Sequence, residues 1–400
     1  MRPEQTDYLV IGAGIIGLTL AKQLQEKYPG RRIMLLEKEP DVAAHSSGRN
    51  SGVLHAGFYY TANSLKARFT REGNTAMKAY CRSRGLPLNE CGKVVVACGE
   101  GELPALYELE RRGKANGVDV RLISEAELAV LEPNARTTKR ALHSPTTATV
   151  EPAAVCAALK EDLLASGAVF LFSEGYASRT GAGAVLTTKG RAITAGRLIN
   201  AAGLYADKIA RDFGYSRDYT IIPFKGIYLK YTGAGMPVRT NVYPVPNLKN
   251  PFLGVHYTVT ADGHVKIGPT AIPAFWRENY EGLRNFSAGE LAEVLSREAQ
   301  LFLLNSFGFR SLAFEELRKY YKPFFVGLGR RLVKEMDEAG FTDWTRPGIR
   351  AQLLSKRTLE LVQDFVIEGD SHSTHVLNAV SPAFTGSFPF TKWIIETRLS

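Results

Sequence analysis

Asp7-Tyr8-Leu9-Val10-Ile11-Gly12-Ala13-Gly14-Ile15-Ile16-Gly17 is the stretch on which the fold turns. The run Asp7–Ile11 ends in glycines and reads as a buried parallel strand, and Ile15–Leu24 carries apolar residues at helical spacing. Arg32–Leu36 is a second buried strand that closes at Glu37, which makes one β-α-β unit. The glycines stand in GxGxxG spacing between strand and helix. Gly12 permits the tight turn, Gly14 lets the backbone approach a pyrophosphate, and Gly17 lets helix and strand pack closely. The helix start at Ile15 and Ile16 presents unpaired N–H groups and positive dipole to phosphates. Glu37 stands 20 residues after Gly17, where an acid binds ribose hydroxyls. A carboxylate there fits an unphosphorylated ribose, which favours FAD or NAD over NADP and leaves those two open.

Further along the chain, Lys93–Cys98 is a β-like piece, Glu100–Arg112 an acidic helical stretch, and 152–166 a helix opening on Pro152. Val169–Phe172 and Arg197–Ala201 read as returning parallel strands. From 223 to about 275 the chain is strand-rich, aromatic and punctuated by Pro and Gly, as expected of an antiparallel sheet with one covered face. Residues 288–338 are mostly helical, and the last sixty return to strand, turn and helix. The economical arrangement is a Rossmann-like α/β nucleotide-binding domain interleaved with an antiparallel-sheet α+β domain. The first takes 1–85, 146–222 and 345–400, and the second takes 86–145 and 223–344 as a substrate cap.

The chain has 400 residues, 45% hydrophobic and 22% charged, which excludes a disordered or collagenous chain. No apolar run is long enough to span a bilayer, and the opening Met1-Arg2-Pro3-Glu4 lacks signal-peptide features. Cys81, Cys91, Cys98 and Cys156 form no CxxC pair and no zinc spacing, so the expectation is a reduced, cytoplasmic thiol set with no metal. Fifty basic residues against forty acidic give +10, compatible with anionic substrates, a membrane surface or nucleic acid. No RNA-binding signature accompanies the charge, and no nucleic-acid partner is expected. The basic aromatic stretch 318–334, RKYYKPFFVGLGRRLVK, is read either as a solvated helix with a packed aromatic face or as a peripheral contact with the inner face of an anionic membrane.

Residues 45–60, HSSGRNSGVLHAGFYY, together with Gly12–Gly17 and Glu37-Lys38, resemble the FAD-dependent L-2-hydroxyglutarate dehydrogenase/oxidase family, a branch of the D-amino-acid-oxidase-like flavoproteins. The resemblance recurs at Pro223–Tyr228, Tyr243-Pro244, Pro251–His256, Gly268-Pro269, Arg346–Gln352 and Asn378–Pro382, and so spans essentially the whole chain. Three departures stand out. Arg49 replaces the usual histidine before NSG, Thr270 replaces the usual asparagine after Gly-Pro, and Phe384–Phe390 replaces an alanine-rich stretch.

The resemblance implies non-covalent FAD. Ser46, Ser47, Gly48, Asn50, Ser51, Gly52 and Val53 would form a small polar loop near its ribityl chain and ring, with Ala202-Gly203 and Ser381-Pro382 approaching from elsewhere. A helix opening at Ser381-Pro382 would stabilise a reduced anionic ring, although Pro389 argues against its continuation.

The implied reaction oxidises the 2-hydroxyl of a small anionic L-2-hydroxy dicarboxylate, with hydride transfer to flavin N5 and with quinone or oxygen as the electron acceptor. Arg350 is the candidate carboxylate clamp, because a guanidinium binds bidentately and stays charged. Lys225 is a second cation candidate. His55 and His256 are candidates for the base, unranked, and Tyr243 for a substrate hydrogen bond. Oxidation of an amino acid or of glycerol 3-phosphate is the alternative chemistry.

Overall fold

The computed structural model describes residues 3–246, 254–379 and 381–399. The opening strand Glu4–Ile11 runs parallel to Ile33–Leu36 on one side and to Ala192–Asn200 on the other, and Val169–Leu171 extends the sheet beyond Ile33–Leu36. Ser373–Asn378 joins in parallel against the C-terminal end of Ala192–Asn200. Three separated pieces of chain therefore share one eight-stranded sheet. Leu9, Val10, Met34 and Leu35 are fully buried, as a sheet covered on both faces demands. Helices Ile15–Lys27, Pro152–Ala165 and Ala383–Arg398 pack together against one face, and Ile209 and Phe213 cover the other.

A helix does open after Ser381-Pro382, and Pro389, which makes it less certain from sequence, does not end it: Ala383–Arg398 is one continuous helix. The carbonyl of Thr385, which loses its donor to the proline, lies against helix Leu65–Ser83 at a glycine; a Cβ on Gly73 would sit 2.1 Å from it. The neighbouring carbonyl of Phe388 accepts from Gln23 Nε2 at 2.9 Å. The glycine lets the carbonyl left without a donor pack against the neighbouring helix, and the helix passes its proline.

A second eight-stranded sheet runs in the order Phe341–Trp344, Leu229–Tyr231, Val265–Gly268, His256–Val259, Asn241–Pro244, Lys93–Val96, Arg140–Ser144, Arg121–Ser124. It is antiparallel except at one seam, where Asn241–Pro244 lies parallel to Lys93–Val96. The sequence pattern gives no hint of this pair, because two distant pieces of chain meet there and no hairpin fixes their direction. The strand Tyr219–Gly226 runs through the expected boundary at 222 and pairs along its full length with Gly348–Ser355, forming with Ile272–Pro273 a separate three-stranded sheet. The helical region divides into Ala288–Leu304, Phe309–Arg318 and Lys322–Arg330.

Candidate functional site

A cavity of about 930 Å³ lies between the two sheets, with the glycine turn at one end and Arg350, His55, His256 and Tyr243 at the other. Backbone proximity shapes its first part. The N–H of Ile15, at the helix start, donates to Ser47 Oγ at 2.9 Å, and a Cβ on Gly14 would lie 3.0 Å from that oxygen. A Cβ on Gly17 would come within 1.9 Å of the Gly12 carbonyl, so this glycine is required by helix–strand packing. Glu37 is nearly buried; its carboxylate accepts from the N–H groups of Ala13 at 2.7 Å and Glu39 at 3.0 Å, which aims it across the cavity end. Lys38 also lines this end. Burial opposes its ammonium, but bonds to Glu278 and Glu39 prevail and hold its pKa above the usual lysine value.

The polar loop holds itself in shape. Asn50 Nδ2 donates to the carbonyls of Ser46 and Ser47 at 3.1 and 2.9 Å, and Asn50 Oδ1 accepts from Gly52 N at 2.9 Å. Ser46 Oγ donates to the Ile349 carbonyl, and Val53 N donates to Ser51 Oγ at 3.2 Å. Ser46, Ser47, Asn50, Ser51 and Val53 line the cavity, as do Ala202, Gly203, Ser381 and Pro382. Gly48 and Gly52 do not: they are packing glycines, where a Cβ would meet the carbonyls of Ala43 at 2.3 Å and Val150 at 2.4 Å. Arg49 lies along the wall with its guanidinium 4.4 Å from the Tyr280 ring and Nε bonded to the Ala44 carbonyl at 2.7 Å.

At the far end, Arg350 projects from Gly348–Ser355 and bonds the Thr270 carbonyl at 3.2 Å. No salt bridge reaches it among the described residues. Thr270 is a positioning partner: its hydroxyl accepts from Ile227 N at 3.1 Å and donates to the Lys225 carbonyl at 3.0 Å. Lys225 itself is not part of the cavity wall. Its Nζ donates to Asn279 Oδ1 at 3.3 Å, while the next residue in the strand, Gly226, lines the cavity. Alternation along a strand sends neighbours to opposite faces, so Gly226 and not Lys225 faces the cavity.

The two histidines differ. His256 Nδ1 lies 3.2 Å from the Gly254 carbonyl and so carries the proton, and its ring stacks on Tyr243 at 3.7 Å. Its Nε2 is fully shielded and unpartnered. His55 is half-buried against the cavity with Nδ1 turned toward Lys93 Nζ, 3.5 Å away, which leaves Nε2 for the cavity. Burial, reinforced by the charge of Lys93, pushes the pKa of both rings well below the ordinary histidine value, so both are neutral near pH 7. Burial likewise raises the Tyr243 phenol. Part of the block Pro251–His256 lies outside the described residues.

In the sequence Lys93 is only the first residue of a strand. It is fully buried, with Nζ 3.9 Å from the Tyr243 ring centroid and 5.1 Å from that of Tyr59. Burial brings its pKa down to about 7. No carboxylate pairs with it among the described residues. Tyr228 and Tyr59 also line this end; both fall inside blocks of the family resemblance, but no residue type or spacing there gives either a role of its own.

A GxGxxG turn with its acidic partner at one end of the cavity, and an unpaired arginine with neutral histidines at the other, define a dinucleotide-dependent oxidoreductase of two interleaved domains. Residues 7–308 match the family described as DAO, FAD dependent oxidoreductase. The chain is 36% identical over 414 residues to the mitochondrial L-2-hydroxyglutarate dehydrogenase of Mus musculus, covering 96% of this chain and 87% of that protein. It is 37% identical over 398 residues to the L-2-hydroxyglutarate dehydrogenase of Indibacter alkaliphilus, covering 98% of both. Among solved structures, L-alpha-glycerophosphate oxidase from Mycoplasma pneumoniae with FAD bound superposes with a TM-score of 0.78 at 20% identity, covering 98% of this chain and 94% of that one. The chain belongs to the FAD-dependent oxidoreductases and, within them, to the L-2-hydroxyglutarate dehydrogenase family. FAD is its cofactor, and the glycine turn, Glu37 and the 46–53 loop offer the small backbone profile and polar groups a dinucleotide requires.

Proposed function

We propose that this chain oxidises L-2-hydroxyglutarate to 2-oxoglutarate. The carrying observation is Arg350, a cavity-lining guanidinium free of any carboxylate among the described residues, at the same end of the cavity as His55. FAD, when bound, supplies the two-electron acceptor for the Cα hydride. Gly12, Gly14, Ile15, Ile16, Glu37 and the loop from Ser46 to Val53 would hold it, with Ala202, Gly203, Ser381 and Pro382 closing around it. Gly17 and the packing glycines Gly48 and Gly52 would keep that cradle's shape.

Arg350 grips a substrate carboxylate through two parallel N–H bonds, and the Thr270 carbonyl fixes its plane. His55 takes the hydroxyl proton on Nε2, the nitrogen its Lys93 contact leaves toward the cavity. His256 and Tyr243, stacked on each other, form the wall that keeps water from the reacting carbon. Segments 1–85, 146–222 and 345–400 would carry the cofactor and the remaining two the cap, with Tyr219–Gly226 bridging them. Replacing Arg350 by Ala should cut kcat/KM for the dicarboxylate by about 10–100-fold, the worth of a charged hydrogen bond, while FAD stays bound. Unchanged kinetics would remove Arg350 from the site.

Of the two acceptors, quinone or oxygen, a quinone would call for contact with a membrane. No helix among the described residues is long and apolar enough to cross a bilayer. The 318–334 stretch holds the last residue of helix Phe309–Arg318, a turn at 319–321, helix Lys322–Arg330 and a non-helical end, with Lys319 bonded to Glu316 in the interior and Phe325 buried. Tyr320, Tyr321, Leu317 and Phe314 remain exposed beside Arg318 and Lys322. We place the enzyme in the cytoplasm with this face against the anionic inner leaflet. Vesicles containing anionic lipid should co-sediment it in low salt and release it in high salt; failure to bind would end this reading.

A further inference from the structure

One charged group beside the site has no part in the chemistry proposed so far, a lysine sealed behind the cavity wall. Lys93 Nζ lies 3.5 Å from His55 Nδ1, within a cage of Tyr243, Tyr59 and, at 5.7 Å, Phe58. An ammonium isolated from carboxylates gains from such rings but does not recover its hydration, so either protonation state is accessible there. The amine does not line the cavity and cannot touch a substrate.

We propose that Lys93 is the positioning residue for His55: its neutral amine accepts the Nδ1–H, leaves the Nε2 lone pair facing the cavity, and takes up the Nδ1 proton when Nε2 receives one. This rests on the function proposed above. The bookkeeping is one proton in and one passed on. The substrate O–H breaks as Nε2–H forms, and Nδ1–H breaks as a third Nζ–H forms, while the electron pair of the Cα–H bond goes to FAD. The new ammonium then sits 3.9 Å from the Tyr243 ring centroid. A lysine protonated beforehand does the reverse. It donates to Nδ1, forces the proton onto Nε2 and turns His55 from acceptor to donor. The titratable groups facing Lys93 are His55, Tyr59, Tyr243 and, along its own strand end, Cys91, with His256 beyond Tyr243. The tyrosines and Cys91 stay protonated near neutrality because burial raises each of them. The switch therefore belongs to the Lys93–His55 pair.

The test uses FAD-loaded protein and two readouts. Nitrogen NMR of histidine-labelled protein, with His55→Asn assigning the signal, should show the His55 ring nitrogens changing tautomer between pH 6 and 8.5. Lys93→Met should abolish that change. In anaerobic stopped flow with L-2-hydroxyglutarate, the wild-type rate of flavin reduction should rise with pH through about 7. Lys93→Met should lie about 10–100-fold lower without that limb. Lys93→Arg, a permanent donor, should be slow at every pH and serves if the methionine variant does not fold. Pairing either variant with His55→Asn should add no further loss. Wild-type rates and pH profile in both Lys93 variants, or a His55 signal indifferent to pH and to Lys93, would overturn the proposal. Should L-2-hydroxyglutarate fail to reduce the wild-type flavin while the NMR change and its loss in Lys93→Met persist, the substrate reading falls and the Lys93–His55 pair stands.

Discussion

Arg277 and Lys93 are both fully buried, and the protein treats their charges in opposite ways. Arg277 donates to Asp207 through both terminal nitrogens and to the Leu204 carbonyl, with Glu293 3.5 Å away. Burial opposes its charge, yet those partners hold its pKa above the usual arginine value. Lys93 has aromatic rings and a histidine where Arg277 has acids, and its pKa falls to about 7. A neutralised buried charge ties two parts of the chain together; one left without an acid carries a cost in folding that only a job at the site explains.

The largest effect that would break this contrast is at the neutralised cation. Asp207→Asn leaves Arg277 buried without its main partner and should lower unfolding free energy by about 3–5 kcal/mol in urea titration. A loss within error would show that the pair contributes nothing that Lys93 lacks. The smaller effect runs the other way. Lys93→Met should raise stability at pH 7 by about 1–3 kcal/mol, because it removes an unpaired polar group from the interior. The sign with pH follows from linkage. The unfolded lysine titrates near 10.5 and the folded one near 7, so the unfolded chain binds more protons between them and wild-type stability rises with pH across that window. The advantage of the methionine variant should accordingly be greatest below pH 7 and shrink toward pH 10. A lysine variant destabilised at every pH would place Lys93 with Arg277 as a structural group.

Much of this arrangement is legible in the sequence because its signals are local. Apolar runs, GxGxxG spacing and Glu37 lie within forty residues, and they form the β-α-β start of the large sheet. The loop 46–53 and Arg350 come from the family resemblance, and most of those residues face the cavity. What escapes the sequence depends on distant contacts. The parallel seam between Asn241–Pro244 and Lys93–Val96 brings Lys93 under Tyr243, and nothing near position 93 announces a partner 150 residues away. Which face of its strand Lys225 takes is likewise not legible, because alternation is visible in the sequence but the face turned to the cavity is not. Pro389 looks like a breaker because the glycine at 73 that accepts its neighbouring turn belongs to another helix.

In the function proposed above, this cavity oxidises an L-2-hydroxy dicarboxylate on FAD. Anaerobic mixing of the purified FAD-loaded protein with L-2-hydroxyglutarate, beside D-2-hydroxyglutarate, L-malate, glycine and glycerol 3-phosphate, tests it most directly through the flavin absorbance. Rapid bleaching by L-2-hydroxyglutarate, and none by its D-enantiomer or by the amino acid, is the predicted result. A flavin that stays oxidised with L-2-hydroxyglutarate but bleaches with glycine or glycerol 3-phosphate would contradict the claim and hand the site to the alternative chemistry.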